Sequence, residues 1–228
     1  MNLTEFSAQL EEENTWRTDE IRFFQNQCEM IDASKQDQFR RALILLLYSH
    51  FEGFVKFALV LYVEAINESG IYCSDASYAI AAAALEDVFH ELREAQSKCT
   101  IFKKILPDDT KLHRIARERE FIERSIEIMS RVVKIPDGFI DLESNLKPVV
   151  LRKNLYKVGL PHDQFKDIEG KVDLLLEYRN KIAHGRSRQG ITDAQYLQLR
   201  DAAFRIMKEV SMGIVEAFIH KIYLRVPA

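Results

Sequence analysis

A chain of 228 residues, 47% hydrophobic and 29% charged, is long enough to bury one sizeable core, so it reads as a globular protein of one domain or a domain with an appendage. Its formal net charge of -3 conceals an asymmetry: residues 147 to 188 hold ten Lys/Arg against five Asp/Glu, whereas the first twenty residues hold six acids and one arginine. Three scattered cysteines, Cys28, Cys73 and Cys99, form neither a CxxC pair nor a Cys/His cluster, which excludes a disulfide framework and a zinc site and suits a reducing cytosol.

Eight glycines and five prolines are few for this length, and the long stretches between them predict helices rather than short strands joined by tight turns. The expected class is all-α. The start, "MNLTEFSAQLEEENTW", has acids where a signal peptide needs a basic start and an apolar run, so a cytoplasmic location is expected. A first helix is predicted over about 3 to 30, with Leu3, Phe6, Leu10, Ile21 and Phe24 at broken helical spacing; it reads as peripheral and as one or two pieces. The second, about 36 to 68, contains "RRALILLLYSHFEGFVKFALVLYVEAIN" and is apolar on nearly every face, as a helix inside a protein or a membrane must be. His50, Glu52 and Lys56 lie in its middle, where the charged groups would each cost about 2.5 to 3.5 kcal/mol in a bilayer, so a central core helix and no membrane are expected.

Ser74 or Asp75 is placed to cap a third helix running to about Ser97, with alanines at 81 to 84 permitting close helix approach; "ILPDDTK" then breaks the chain. A fourth helix, about 111 to 134, interleaves arginines with glutamates as a solvated scaffold face would. After the turn-rich "KIPDGFIDLESN", a short helix near 145 to 158 should end at Gly159, and "LPHDQF" leads into a helix over about 165 to 184. The last helix should start from Thr192 as N-cap and reach about Leu224.

In the 165 to 184 segment, Val172, Leu175, Leu176, Ile182 and Ala183 repeat at helical spacing, and Arg179 falls on the same apolar stripe. A buried guanidinium must pair with an acid or open onto a cleft, and Glu52, on the otherwise apolar second helix, is the candidate acid. His184 lies about 140° around an ideal helix from Arg179, so the two share a face only if the helix ends between them. Gly185, a natural left-handed closing residue, is where that ending is expected. Asn180, four residues before His184, faces the same way as the histidine. No cluster of Asp, Glu, His or Cys has metal-ligand spacing, so neither metal nor cofactor is expected.

The stretch "EYRNKIAHG", in a helix followed by a loop and a long terminal helix, resembles the HEPN family, whose signature is an arginine, a polar residue and a histidine four to six positions on. Arg179, Asn180 and His184 fill those places. The buried "LLLYSHFEGFVK" is similar to the first core helix of the branch found in bacterial defence and toxin loci, including the group associated with RiboL-PSP. The resemblance implies a HEPN-type helical bundle with additional helices over residues 1 to 228, and a dimeric, metal-independent endoribonuclease. Its catalytic residues would be Arg179, Asn180 and His184, with Lys181, Arg186 and Arg188 as a rim for the RNA backbone and Glu52 in support. Expected partners are RNA, a second copy of the chain, and an antitoxin or sensor from the same locus. Arg186 stands where one HEPN toxin group carries a tyrosine modified by its antitoxin. Some members lack nuclease activity, so a catalytically inactive RNA-, nucleotide- or partner-binding module is the alternative.

Overall fold

The longest apolar run in the sequence becomes the axis of the molecule. The computed structural model describes residues 1–94 and 110–225. In it α1 spans Leu3–Met30, α2 Ala33–Glu68, α3 Tyr78–Ala84, α4 Glu86–Arg93, α5 Thr110–Glu123, α6 Ser125–Met129, α7 Pro148–Lys157, α8 Glu169–Ala183 and α9 Asp193–Ile219. The class is all-α, with no strand among the described residues. Asp32 starts α2 by accepting a hydrogen bond from the Ser34 amide at 2.8 Å. Phe51, Phe54, Val55, Leu59, Tyr62 and Ile66 are essentially solvent-free, each large side chain contributing about 1.5 to 3 kcal/mol relative to exposure. The all-round apolar character of α2, which by length and composition would also suit a bilayer, is satisfied by α1, α8 and α9 packed about it.

α1 corrects the expectation for the N-terminus. It is one unbroken helix, and Phe6, Leu10, Ile21 and Cys28 enter the core against α2 and α9 instead of lying at the periphery. The polar interruption in its pattern is used at the α1–α2 contact: Arg17 pairs with Glu13, lies over the Trp16 ring at 4.6 Å, and approaches His50 Nδ1 at 3.5 Å. A Cβ at Gly53 would stand 2.6 Å from Arg17 Nη1, so a larger residue there would require the Arg17 side chain to shift.

His50 is buried, with Nε2 2.6 Å from Glu20 Oε2, and burial holds its pKa below the ordinary histidine value against the opposing pull of Glu20. The folded protein therefore takes up this proton less readily than the unfolded chain, whose histidine titrates near about 6.5, so stability should fall as pH drops through that value. Thermal melts at pH 7.5 and 5.5 check this: wild type should lose more melting temperature over the interval than His50→Gln.

Two predicted helix boundaries move for one shared reason. The Cys73 and Ser74 amides donate to the carbonyls of Arg131 and Met129, both at 2.9 Å, and the Val133 amide donates to Ile71 at 2.8 Å. These bonds bring residues 71–74 against 129–133, so Ser74 and Asp75 cap nothing and the fourth helix stops at Met129, split into α5 and α6. The third helix begins after Ser77 and divides at the buried Leu85 into α3 and α4; its expected end near Ser97, most of "ILPDDTK" and Cys99 lie outside the described residues. Downstream, Gly159 takes φ +74 after α7 as expected, α8 starts four residues later than predicted, and α9 begins with a reciprocal Thr192–Gln195 capping box but ends at Ile219.

Candidate functional site

α8 buries Val172, Leu175 and Leu176 against the α2–α9 groove, and the next position on that stripe is Arg179. Its guanidinium is half-buried and does not meet Glu52. It stacks on Tyr48, with its central carbon 4.7 Å from the ring centroid, and Nη1 donates to Asn145 Oδ1 at 2.9 Å and Asn180 Oδ1 at 2.7 Å. Glu52 is committed elsewhere. Its Oε1 accepts from the Tyr48 hydroxyl at 3.0 Å and the Leu146 amide at 3.1 Å, and that amide also donates to the Tyr48 oxygen at 2.7 Å. The expected Arg179–Glu52 salt bridge is thus replaced by support at one remove, in which Glu52 holds the ring on which Arg179 rests. Burial, reinforced by Glu52, raises the Tyr48 pKa far above its ordinary value, so the hydroxyl keeps its proton.

Asn145 reaches Arg179 from a strained loop. Glu143 and Ser144 adopt φ of +53° and +62°, a left-handed pair without glycine, costing about 1 to 3 kcal/mol each. The surroundings enforce it: the Glu143 amide donates to Asp141 Oδ1 at 2.8 Å, Lys153 pairs with the Glu143 carboxylate, and the buried Asn154 side chain donates to the Asp141 carbonyl at 2.8 Å. Among the described residues, Nε and Nη2 of Arg179 make no hydrogen bond, which leaves one edge of the fork for an incoming oxyanion.

α8 ends between Arg179 and His184. Gly185 has φ +63; its amide donates to Ile182 at 3.0 Å and the Arg186 amide to Lys181 at 2.8 Å, the paired bonds of a left-handed helix closure. His184 is the cap residue, exposed, its ring bonded to nothing among the described residues. The side-chain oxygen of Asn180, a residue expected to face the same way as His184, accepts from Arg179. Ala183, assigned to the apolar stripe, is exposed at the last position of α8, whereas Ile182 is half-buried against the core. No group of three or more His, Cys, Asp or Glu able to hold a metal ion occurs among the described residues.

A family model described as HEPN_MAE_28990-like HEPN matches residues 6–223. The chain belongs to the HEPN family. Comparison with curated proteins and with solved structures found no match. HEPN domains are often ribonucleases, so membership supports a nuclease- or RNA-related role. The HEPN match starts in α1 and ends beyond α9, so it takes in nearly all of the chain.

The residues expected to line the basic rim divide. Lys181 pairs with Glu177 on its own helix, while Arg186 and Arg188 are exposed with no ion pair among the described residues. The loop carrying them is tied to α2: Arg41 Nη2 donates to the Ser187 carbonyl at 2.6 Å, and the Ile191 amide donates to the Asp37 carbonyl at 3.0 Å. Gly190 permits that contact, since a Cβ there would stand 2.6 Å from Asp37 Cβ. Tyr48, Asn145 and Arg41 escaped the sequence reading of this HEPN site. Tyr48 was within reach, four residues before Glu52 and therefore on the same side of α2. Asn145 carries no local signal.

Proposed function

We propose that this HEPN protein is a metal-independent endoribonuclease that cleaves RNA through the substrate's own 2'-hydroxyl, at a site completed by a second copy of the chain. One observation carries the reading: an exposed, unengaged His184 stands one helical closure away from an Arg179 whose fork is braced on one edge and open on the other. His184 removes the proton of the 2'-hydroxyl, and that oxygen attacks the adjacent phosphorus. Arg179 neutralises the phosphorane, and the bond to the 5'-oxygen breaks, leaving a 2',3'-cyclic phosphate and a 5'-hydroxyl. The departing oxygen needs a proton, which the second copy's His184 supplies across a two-fold axis. Arg186 and Arg188 extend positive charge along the strand. The resemblance to defence and toxin branches supports a cytoplasmic setting with an antitoxin or sensor as regulator.

Two measurements test the chemistry. Cleavage of single-stranded RNA should persist in EDTA and give fragments ending in 2',3'-cyclic phosphate; loss on chelation, or 3'-hydroxyl ends, refutes the route. Light scattering at micromolar concentration should give twice the chain mass, and a fully active monomer would dispose of the shared site.

A further inference from the structure

The alanines that suggested close helix packing do something else on their outer face: they floor a cleft. Ala79, Ala82 and Ala83 of α3, with Gly159 beyond α7, contribute nothing larger than a methyl group, and the opening beside them has a volume of about 650 Å³. That is within the range of small-ligand sites. Its walls are rings, from Tyr78, Phe89, Phe139 and Tyr156. Three are braced by a nitrogen-bearing group: Arg225 lies 4.7 Å over Tyr78, Lys157 4.0 Å over Phe139, and His162 meets Tyr156 edge-on at 5.3 Å. Tyr78 and Tyr156 are nonetheless 77% and 67% exposed, so their surfaces remain open to a ligand.

A second cleft of about 420 Å³ adjoins it and shares Glu86 and Arg93. Its lining is basic, with Arg93, Arg131 and Lys134 against Glu86 and Asp87. Arg131 is already paired with Asp87 at 2.9 Å, whereas Arg93 and Lys134 carry no ion pair among the described residues. A flat-ringed slot opening onto Arg93 and Lys134, which have no ion pair among the described residues, suits an aromatic base carrying a phosphate. An acyl chain would leave the cations unanswered, and so would an uncharged aromatic side chain.

We propose that the α3–α4–α7 cleft binds a nucleotide unit, its base among Tyr78, Phe139 and Tyr156 and its phosphate on Arg93 and Lys134; neither Arg179 nor His184 lines it. The unit comes either from a free nucleotide or from a single strand. Only the strand source rests on the ribonuclease reading.

Calorimetric titration of the full chain with AMP, and separately with octadeoxyadenylate, tests the cleft; the DNA lacks the 2'-hydroxyl and stays intact. Ala82→Leu, at an exposed helix position, fills the floor and should remove binding. Tyr156→Ala should weaken binding by about 5- to 150-fold, the usual worth of one stacked base. Lys134→Gln should weaken it and reduce its salt dependence. Binding of AMP lost in Ala82→Leu identifies a free-nucleotide site. Binding of the oligonucleotide alone, again lost in Ala82→Leu, identifies a strand subsite. No binding of either probe, or affinities indifferent to both Ala82→Leu and Tyr156→Ala, overturns the proposal. His184→Ala should leave both affinities unchanged, so failure of the cleft and failure of the ribonuclease reading are read separately.

Discussion

His184→Ala should slow RNA cleavage by about 10² to 10⁴, the usual contribution of a general acid or base, while RNA affinity and melting temperature stay close to wild type. The structural reason for expecting a purely kinetic defect is the position of the ring. It stands at the cap of α8, exposed and bonded to nothing among the described residues, and the helix is closed by Gly185 and backbone bonds that the substitution leaves intact. Alanine therefore removes a proton carrier without removing a contact. In a two-fold site both the base and the acid are lost at once, which places the effect toward the upper end of that range. Cleavage rate and affinity measured on wild type and variant, with circular dichroism as folding control, decide the matter: equal cleavage rates would exclude His184 from the chemistry.

Arg179→Ala should abolish measurable cleavage and, unlike the rupture of a sealed ion pair, leave stability nearly intact. Removing one member of a buried salt bridge costs about 3 to 5 kcal/mol because the other charge is stranded. Glu52 is not stranded here, since the Tyr48 hydroxyl and the Leu146 amide continue to donate to it. What Arg179→Ala does strand are the half-buried amide oxygens of Asn145 and Asn180, which water can reach. A loss of about 1 kcal/mol, or roughly 2 to 4 °C in melting temperature for a chain of this size, is expected. Arg179→Lys separates charge from geometry: the ammonium keeps the positive charge but cannot place one edge on Asn145 and Asn180 and offer the other to a phosphorane, so cleavage should remain severely impaired. A fall of 10 °C or more in Arg179→Ala would show that the guanidinium is structural, and wild-type activity in Arg179→Lys would remove the bidentate role.

Both expectations depend on a division between local and distant information. The chain alone determined what depends on residues within one turn of each other: that α2 is the central core helix, that Thr192 starts α9, that Gly185 closes α8, and that Arg179 sits on an apolar stripe where a charge demands a partner. Helical periodicity, capping and left-handed glycines are short-range effects, so they can be read from spacing. Membership of the HEPN family was legible for the same reason, because its motif occupies six consecutive residues. The partner of Arg179 was not legible. Glu52 was the obvious acid on the apolar second helix, but it is engaged by a hydroxyl one turn earlier on α2 and by an amide 94 positions away in the chain. Asn145 is brought to Arg179 across 34 residues by a loop whose strained backbone is stable only because Asn154, Lys153 and the buried Leu146 hold it. The boundaries near Ser74 and Met129 were likewise moved by amide bonds between distant segments of the chain. Contacts of this kind arise when packing brings distant segments together, and no pattern within either segment encodes them.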